Sequence, residues 1–268
     1  MINNIYTIDA HCHIYPEKIA EKAVSGTDNF YDVKSFCKGT VSDLIENGKA
    51  AGIDHFIVQS VATTPKQVKS INEFIANEVE NSGGLMTGLG TLHPDSTDIK
   101  GDITHLLELG LKGVKLHPDI QAFKIDDYRC LKIYELCEKE KLPILMHTGD
   151  NRYDYSNPNR LLPVLKIYNS LTVIGAHLGG WSIWEEAVEQ YREIPNFYVD
   201  CSSSFYYLKP ETAKKIIRRY GADKVLFGTD YPMWSPKGEI EYFLGLDLDE
   251  SEISSILNMN AKKLFGLE

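Results

Sequence analysis

The stretch IYTIDAHCH, residues 5–13, is an apolar run that ends in two histidines. Successive side chains of a β-strand point to opposite faces, so we expect His11 and His13 to share one face and Cys12 to point to the other. Two imidazoles side by side at the end of a strand make half of a metal site. A single His-x-His pair is weak evidence on its own, because such pairs also arise by chance.

The same arrangement recurs four more times, where an apolar run ends in a histidine or an aspartate. Parallel strands of a barrel bring their carboxyl ends to one mouth, so ligands from distant parts of the sequence would meet there. This recurrence is the main evidence for a site. The four residues are His117 after Gly113–Leu116, His147 after Pro143–Met146, His177 after Val173–Ala176, and Asp230 after Val225–Thr229.

The composition is that of an ordinary globular protein and argues against several classes of function. The 268 residues are 43% hydrophobic and 25% charged, and a single barrel of about 250 residues accounts for this length. The net charge of −10 argues against nucleic acid or an anionic membrane as the main partner. No apolar run approaches the roughly 20 residues that a membrane helix needs.

The cysteines and the start of the chain bear on the compartment. The five cysteines lie far apart, without a Cys-x-x-Cys spacing, and their number is odd. No secretory signal precedes Asp9, so we expect a cytoplasmic protein with reduced thiols.

Short apolar or β-branched runs alternate with longer segments of helical periodicity, which predicts eight strand–helix units. No linker, low-complexity tract or charge run divides them, so we predict one domain over residues 1–268. Eight parallel strands crossed over by helices close as an α/β fold of the (β/α)8 TIM-barrel type. A doubly wound open sheet is the alternative, but no Gly-x-Gly-x-x-Gly follows the first strand. The predicted strands are 5–11, 53–60, 85–92, 112–117, 143–147, 171–177, 196–202 and 224–230, and the predicted helices are 41–51, 65–81, 97–109, 127–140, 158–169, 181–192, 210–220 and 249–265.

The connection after the first strand is unusually long, at about residues 14–40, and carries Tyr15, Phe30, Tyr31 and Phe36. A long loop on the C-terminal face of a barrel commonly helps to form a binding pocket. The alternative is a surface excursion with a small hydrophobic cluster of its own.

The histidines are distributed as a barrel-mouth site requires. Six of the eight lie at predicted strand ends, and convergence of that many imidazoles argues against a purely structural role for the set. For His93 and His117 the structural role remains open. Neutral imidazoles with one carboxylate suit Zn²⁺, which lowers the pKa of bound water toward about 7. The six are His11, His13, His93, His117, His147 and His177.

Six motifs follow one another in the chain as HCH at 11–13, GVKLHP at 113–118, HTG at 147–149, HLGG at 177–180, GTDYP at 228–232 and NAKKLFG at 260–266. Together they resemble the amidohydrolase superfamily, and most closely its amidohydrolase-related branch. That branch includes decarboxylases of aromatic acids and of aminocarboxymuconate semialdehyde as well as hydrolases and lactonases. The resemblance spans nearly the whole chain and implies a TIM barrel, whereas it is much less specific for the reaction.

The resemblance also implies roles for individual residues. The metal ligands would be His11, His13, His147 and Asp230, and His177 would orient the attacking water or polarise the substrate. In a hydrolase of this type, Asp230 would also take the proton of the water and deliver it to the leaving group. We expect one divalent metal, Zn²⁺ first, with Mn²⁺ or Fe²⁺ as alternatives. A binuclear site is the alternative, because Lys115 and His117 share one strand face and either could point inward.

Candidate substrate-binding residues are Lys115, His117, Arg152 and Trp181. Lys115 would contact a substrate carboxylate, or else be a solvated or rim lysine whose stem covers apolar surface. Arg152 follows His147 and could bind an anionic group through its guanidinium fork, or lie on a polar surface loop. Trp181 could wall a pocket for a planar ligand, or be the first core-facing residue of its helix.

These observations predict a metal-dependent hydrolase that uses metal-bound hydroxide to cleave a small amide, lactone or ester. The alternatives are a metal-dependent non-oxidative decarboxylase of a small aromatic or muconate-type acid, a metal-free lactonase, and a barrel that has lost activity. No Gly-x-Ser-x-Gly elbow or P-loop points to other chemistry. The expected partner is a small molecule, such as a carboxylate, and the resemblance adds a homodimer.

Overall fold

A ring of short parallel strands forms the centre of the protein in this computed structural model, which describes residues 1–2 and 4–268. All eight predicted strands are present, and the third is split at Leu89 into two pieces that neighbouring strands continue to flank. The strands are β1 (Ile8–His13), β2 (His55–Gln59), β3 (Met86–Gly88), β4 (Gly90–Thr91), β5 (Val114–Leu116), β6 (Ile144–Met146), β7 (Val173–Gly175), β8 (Phe197–Asp200) and β9 (Val225–Leu226).

Backbone hydrogen bonds continue around the ring beyond the strands. β1, β2 and β3 pair in that order, and β4 to β9 pair in sequence order. At the split, Leu89 N donates to Val58 O at 2.9 Å. At the seam, Ala10 N donates to Phe227 O at 2.8 Å and Cys12 forms a parallel bridge with Tyr231. The single-domain TIM barrel predicted from the sequence is therefore the observed fold.

Helices surround the ring, and all eight predicted helices are found. Three more were not predicted: α1 lies inside the connection at about 14–40, the four-residue α5 follows β5, and α10 follows the last strand. The helices are α1 (Glu17–Tyr31), α2 (Val41–Ala50), α3 (Val68–Asn81), α4 (Ile99–Glu108), α5 (Pro118–Gln121), α6 (Leu131–Lys139), α7 (Pro158–Ile167), α8 (Trp184–Tyr191), α9 (Pro210–Tyr220), α10 (Pro236–Leu244), α11 (Glu250–Ser254) and α12 (Asn260–Phe265), with a π-helical turn at Ser255–Met259.

Two apolar clusters fill the protein, one between strands and helices and one inside the ring. The inner cluster contains Leu145 and Leu226, as the alternation along their strands predicts. Ala261 and Phe265 of α12 belong to the same cluster, so the last helix closes the end of the barrel opposite the histidines. The histidine end is therefore the barrel's open end.

No helix in the described part of the chain is both long enough and apolar enough to span a membrane.

Candidate metal centre at the barrel mouth

The two histidines of β1 lie side by side at the mouth. Their Nε2 atoms are 3.2 Å apart, whereas Cys12 is fully buried in the outer apolar cluster. The facing predicted from strand alternation is therefore observed. A register irregularity between Asp9 and Cys12 accompanies this arrangement, and the Asp9 carboxylate accepts a hydrogen bond from His11 N at 3.1 Å.

Asp230 reaches the same pair from the opposite side of the seam. Its Oδ1 lies 3.2 Å from His11 Nε2 and 3.6 Å from His13 Nε2. Its Oδ2 accepts a hydrogen bond from the Ser203 hydroxyl at 2.5 Å, and Trp234 Nε1 donates to that hydroxyl at 2.6 Å. One oxygen of the Asp230 carboxylate therefore faces the two histidines, and the other is held by Ser203, which Trp234 in turn holds.

Gly228 makes room for this approach. A Cβ built on Gly228 would lie 2.9 Å from the Cβ of His11, closer than side chains tolerate. Gly228 lies two residues before Asp230, and the structure shows the space that this glycine leaves for His11. A larger residue here would push His11 out of the ring.

The spacing of these three donors fits a divalent metal. Ligands that share one Zn²⁺ at about 2.0–2.2 Å lie roughly 3.3 Å apart, close to the separations between His11, His13 and Asp230. His11 Nδ1 lies 2.9 Å from the Asp200 carboxylate, so we assign its proton to Nδ1 and a lone pair to Nε2. The donor set is therefore the nitrogen-rich, singly acidic one that Zn²⁺ or Mn²⁺ accepts.

His177 and His147 extend the group across the mouth. His177 Nε2 lies 3.0 Å from His147 Nδ1, and the His177 ring stacks on that of His11 with centroids 5.3 Å apart. His177 Nδ1 is 3.1 Å from Ser202 O, which can only accept, so we place the proton on Nδ1. Burial lowers the pKa of His177 to about 3, so its imidazole is neutral near pH 7. Three of the four predicted ligands, His11, His13 and Asp230, contact one another. The fourth, His147, is connected to them through His177.

Lys115 lies within the group rather than on the surface. Its side chain is 1% exposed and its Nζ is 2.9 Å from His11 Nε2. Burial lowers the pKa of this ammonium and raises the pKa of Asp230, because each loses its hydration. Lys115 is therefore neither a solvated nor a rim lysine. It points inward, which was one of the possibilities for the strand face that it shares with His117.

His117 is engaged on both ring nitrogens. Its Nδ1 accepts a hydrogen bond from Ile120 N at 3.2 Å, and its Nε2 lies 2.8 Å from the hydroxyl of Tyr31. The side chain thereby caps the short helix α5 and contacts the end of α1. This arrangement matches the structural role left open for His117.

The end of α1 covers one side of the mouth. Arg152 Nη1 donates to Phe30 O at 2.7 Å, while its Nε and Nη2 donate to the carboxylate of Asp150. The Arg152 guanidinium also lies 5.0 Å from the ring centroid of Tyr31. Arg152 thus sits at the mouth, but its fork is paired within the protein in this conformation. The connection at 14–40 contributes a helix to the site.

Aromatic side chains wall the cleft above the metal-binding residues. Trp181 packs edge-on against Tyr31 with centroids 5.3 Å apart, and the backbone N of Trp181 donates to Thr148 O at 2.8 Å. That contact is close because Gly149 has φ +78° and a Cβ on it would lie 2.6 Å from Trp181 N. The cleft is lined by Tyr31, Val33, His147, His177, Trp181, Ser203, Tyr207, Asp230, Met233 and Trp234.

Several polar residues of the site were not singled out from the sequence. Asp200 pairs with His11, Ser203 with Asp230, and Ser202 Oγ donates to Asp200 Oδ1 at 2.5 Å. Asp200 is the last residue of the four-residue strand β8, after Phe197–Val199, which is the same signal that identified Asp230. Asp119 and Asp150 follow His117 and His147 by two and three residues and were not singled out.

Three residues of the mouth have left-handed backbone conformations. The φ angles are +60° at His177, +57° at Asp230 and +49° at Ser203. For a non-glycine residue this conformation costs roughly 1–2 kcal/mol. Such strain is retained where surrounding structure requires a side chain to point in one direction, and functional sites are the usual place.

Converging histidines and an aspartate lie at the mouth of a TIM barrel, as the resemblance to the amidohydrolase superfamily implies. The family model described as Amidohydrolase matches residues 8–267, and the chain belongs to that family. This confirms the resemblance that the six motifs indicated. No curated protein matches the sequence.

Solved structures confirm the fold. An uncharacterised TIM-barrel protein from Bordetella bronchiseptica is 22% identical with a TM-score of 0.81, over 98% of this chain and 99% of that one. A dihydroxybenzoic acid decarboxylase from Polaromonas with bound manganese and 2-nitroresorcinol is 17% identical with a TM-score of 0.74, over 98% and 97%. A proposed 2-pyrone-4,6-dicarboxylic acid hydrolase from Pseudomonas putida is 16% identical with a TM-score of 0.68, over 99% of each chain. Decarboxylases of 5-carboxyvanillate and 2,6-dihydroxybenzoate share the fold as well.

Proposed function

We propose that the protein is a metal-dependent hydrolase of a small, planar, anionic amide, lactone or ester. The convergence of His11, His13 and Asp230 on one point carries this proposal. Their donor spacing suits one divalent metal, and Zn²⁺ or Mn²⁺ would be held by these three with His147. When bound, the metal would polarise a substrate carbonyl and lower the pKa of a water molecule.

Asp230 is the proton carrier of this proposal. The Ser203 hydrogen bond fixes Oδ2, so Oδ1 is the oxygen that faces the reacting groups. Burial raises the pKa of the carboxyl toward neutrality, which lets it accept a proton from water and return it to a leaving group. His177, neutral and with its Nε2 lone pair toward the mouth, would orient the attacking water.

Lys115 and the aromatic wall supply the substrate preference. The Lys115 ammonium is the cation closest to His11, and a carboxylate on the substrate would lie against it. Trp181 and Tyr31 would bind the faces of a flat molecule. Arg152 would act by holding the end of α1 over this wall through Phe30 O, and His117 by supporting Tyr31.

Non-oxidative decarboxylation is the second candidate, and one observation favours it. The aromatic cleft and the buried ammonium fit a hydroxybenzoic acid as well as a lactone, and several similar structures are decarboxylases of such acids. In that reaction Asp230 would protonate the ring carbon before the carboxylate leaves as CO₂. The same residues serve both reactions, so substrate turnover has to separate them.

The test combines metal content with product analysis on protein purified without chelator or nickel. We expect about one zinc or manganese per chain by mass spectrometry, and much less in Asp230→Asn. Asp247→Asn is the matched control, because the Asp247 side chain is 97% exposed and forms a surface ion pair with Lys214.

The same preparation is then given planar lactones, amides and hydroxybenzoic acids. Ring opening or amide cleavage without gas supports the hydrolase. Release of CO₂ from an acid overturns the hydrolase in favour of the decarboxylase. Lactone cleavage by protein that holds no metal, even with added zinc, would replace both with a metal-free lactonase.

A further inference from the structure

Two buried polar atoms without hydrogen-bond partners among the described residues lie on the neighbouring side chains of His147 and Asp119. His147 Nε2 lies 3.6 Å from Asp119 Oδ2, and the two side chains are 2% and 0% exposed. His147 Nε2 has no hydrogen-bond partner in the described part of the chain, and neither does Asp119 Oδ1. Leaving a buried donor or acceptor unpaired is destabilising, so one hydrogen bond between His147 Nε2 and Asp119 Oδ1 would satisfy both atoms.

The geometry allows that bond with little movement. An N–H···O hydrogen bond spans about 2.7–3.2 Å, so the gap is a few tenths of an ångström too long. The Asp119 carboxylate is held on one oxygen only, by the Ser156 hydroxyl at 2.5 Å. A small turn about that hydrogen bond brings a carboxylate oxygen to His147 Nε2 and leaves the Ser156 contact in place.

His117, His147 and Asp119 also lie close enough to suggest a separate metal site. His117 argues against that interpretation, because both of its ring nitrogens are already used, by Ile120 N and by the Tyr31 hydroxyl. Its ring instead stacks on His147, with centroids 4.1 Å apart and an angle of 8° between the planes. This stacking disfavours tilting of the His147 ring out of its plane.

On the opposite side of the mouth, His11 and Asp200 already form a hydrogen bond of this kind. His11 Nδ1 is 2.9 Å from Asp200 Oδ2, which places the proton behind the ring and the lone pair in front. A carboxylate behind a ligand histidine fixes its tautomer and raises its basicity toward a metal. Asp119 stands in that position behind His147.

We propose that Asp119 is a positioning residue that accepts a hydrogen bond from His147 Nε2–H and thereby holds the Nδ1 lone pair toward the metal. The inference rests on the metal site proposed above. With the His177 proton on Nδ1, the two front nitrogens present lone pairs to each other across 3.0 Å. Two lone pairs at that distance repel unless a cation lies beside them, which favours a metal bound to His147 Nδ1 next to His177.

The tautomer of His147 is read directly by nitrogen NMR of ¹⁵N-histidine-labelled, metal-free protein, with His147→Gln used to assign the signals. We expect a protonated Nε2 and an unprotonated Nδ1 in the wild type. In Asp119→Ala the Nε2–H form should lose its preference, and Asp119→Asn, which keeps an acceptor oxygen, should restore part of it. A wild-type His147 protonated on Nδ1 overturns the proposal, as does a tautomer that Asp119→Ala leaves unchanged.

Metal affinity gives the second readout. Loss of such a partner weakens metal binding by about 10–100-fold, and we expect that range for Asp119→Ala in competition with a fluorescent chelator, with Asp247→Asn unchanged. Equal affinity in Asp119→Ala and wild type overturns the proposal. The wild type could bind no metal and yet lose its Nε2–H tautomer in Asp119→Ala. That result would overturn the proposed function but support the hydrogen bond between Asp119 and His147.

Discussion

The two ends of the barrel use the same eight strands in opposite ways. At the closed end, side chains such as Leu145 and Leu226 form an apolar plug with Phe265 of α12. At the mouth the buried side chains include histidines and carboxylates, and two of these residues, His177 and Asp230, have a left-handed backbone conformation. The comparison distinguishes an apolar end that stabilises the fold from a polar end that holds the candidate site. Substitutions at the two ends should therefore separate stability from activity, with the largest effect on the free energy of unfolding at the closed end.

Phe265→Ala should produce the largest loss of stability. The side chain is 4% exposed inside the ring, and Phe→Ala changes in cores cost about 3–5 kcal/mol. Denaturant unfolding measures the loss, and Met259→Ala in the preceding π-helical turn, 58% exposed, is the control. Metal content per folded chain should stay at the wild-type level, and a metal loss matching the stability loss would show that the two ends are not separable.

Gly228→Ala tests the boundary between the two ends. The added methyl would meet the Cβ of His11 at 2.9 Å, and overpacking of this kind costs about 1–3 kcal/mol. Because His11 has to shift, metal affinity should fall as well. Gly26→Ala is the control, since nothing lies within 4 Å of its added methyl. Wild-type metal affinity in Gly228→Ala would contradict the assigned role of that space.

Glu239→Gln tests a buried carboxyl outside the mouth. Burial raises the pKa of Glu239 in the folded protein well above its usual range, and its Oε2 has no partner among the described residues. The folded state keeps this proton while the unfolded state loses it above about pH 4.5, so wild-type stability declines as pH rises toward the folded pKa. The melting temperature of Glu239→Gln relative to wild type should therefore rise between pH 4.5 and 8. A constant difference across that range would contradict the raised pKa.

Asp230→Asn should have the smallest effect on stability and the largest on function. Asparagine accepts the left-handed backbone that Asp230 adopts, and we expect the free energy of unfolding of metal-free protein to change by no more than about 1 kcal/mol. Loss of the proton carrier should reduce turnover by about 10²–10⁴-fold. Thermal melts of chelator-treated protein measure the first and product assays the second. A large destabilisation would make Asp230 a structural residue and remove the contrast between the two ends.

The two ends also differ in how well the sequence predicted them. Alternation in a strand is local, so the inner position of Leu145 and the shared face of His11 and His13 could be read from a few neighbouring residues. Partners such as Asp200 and Asp119 depend on which strand lies next to which. The left-handed backbone at Asp230 depends on tertiary packing, and local sequence does not reveal it.

The missed helix α1 has a different explanation. Only Ala20 and Val24 of its fifteen residues are buried, but apolar residues recur along it at helical spacing. The aromatic residues of the connection indicated a pocket, and Tyr31 does line the cleft. Aromatic content thus predicted the location of this segment, whereas its helical periodicity was overlooked within a connection interpreted as a loop.

The seam between β1 and the residues that follow β9 has a consequence for synthesis in the cell. His11 and His13 leave the ribosome before Phe227 and Tyr231, so the strand that carries them gains its second neighbour only when those residues have been made. Until then these histidines lack the carboxylate of Asp230. A ribosome that stalls before Asp230 has been made therefore releases a chain unable to assemble the donor set.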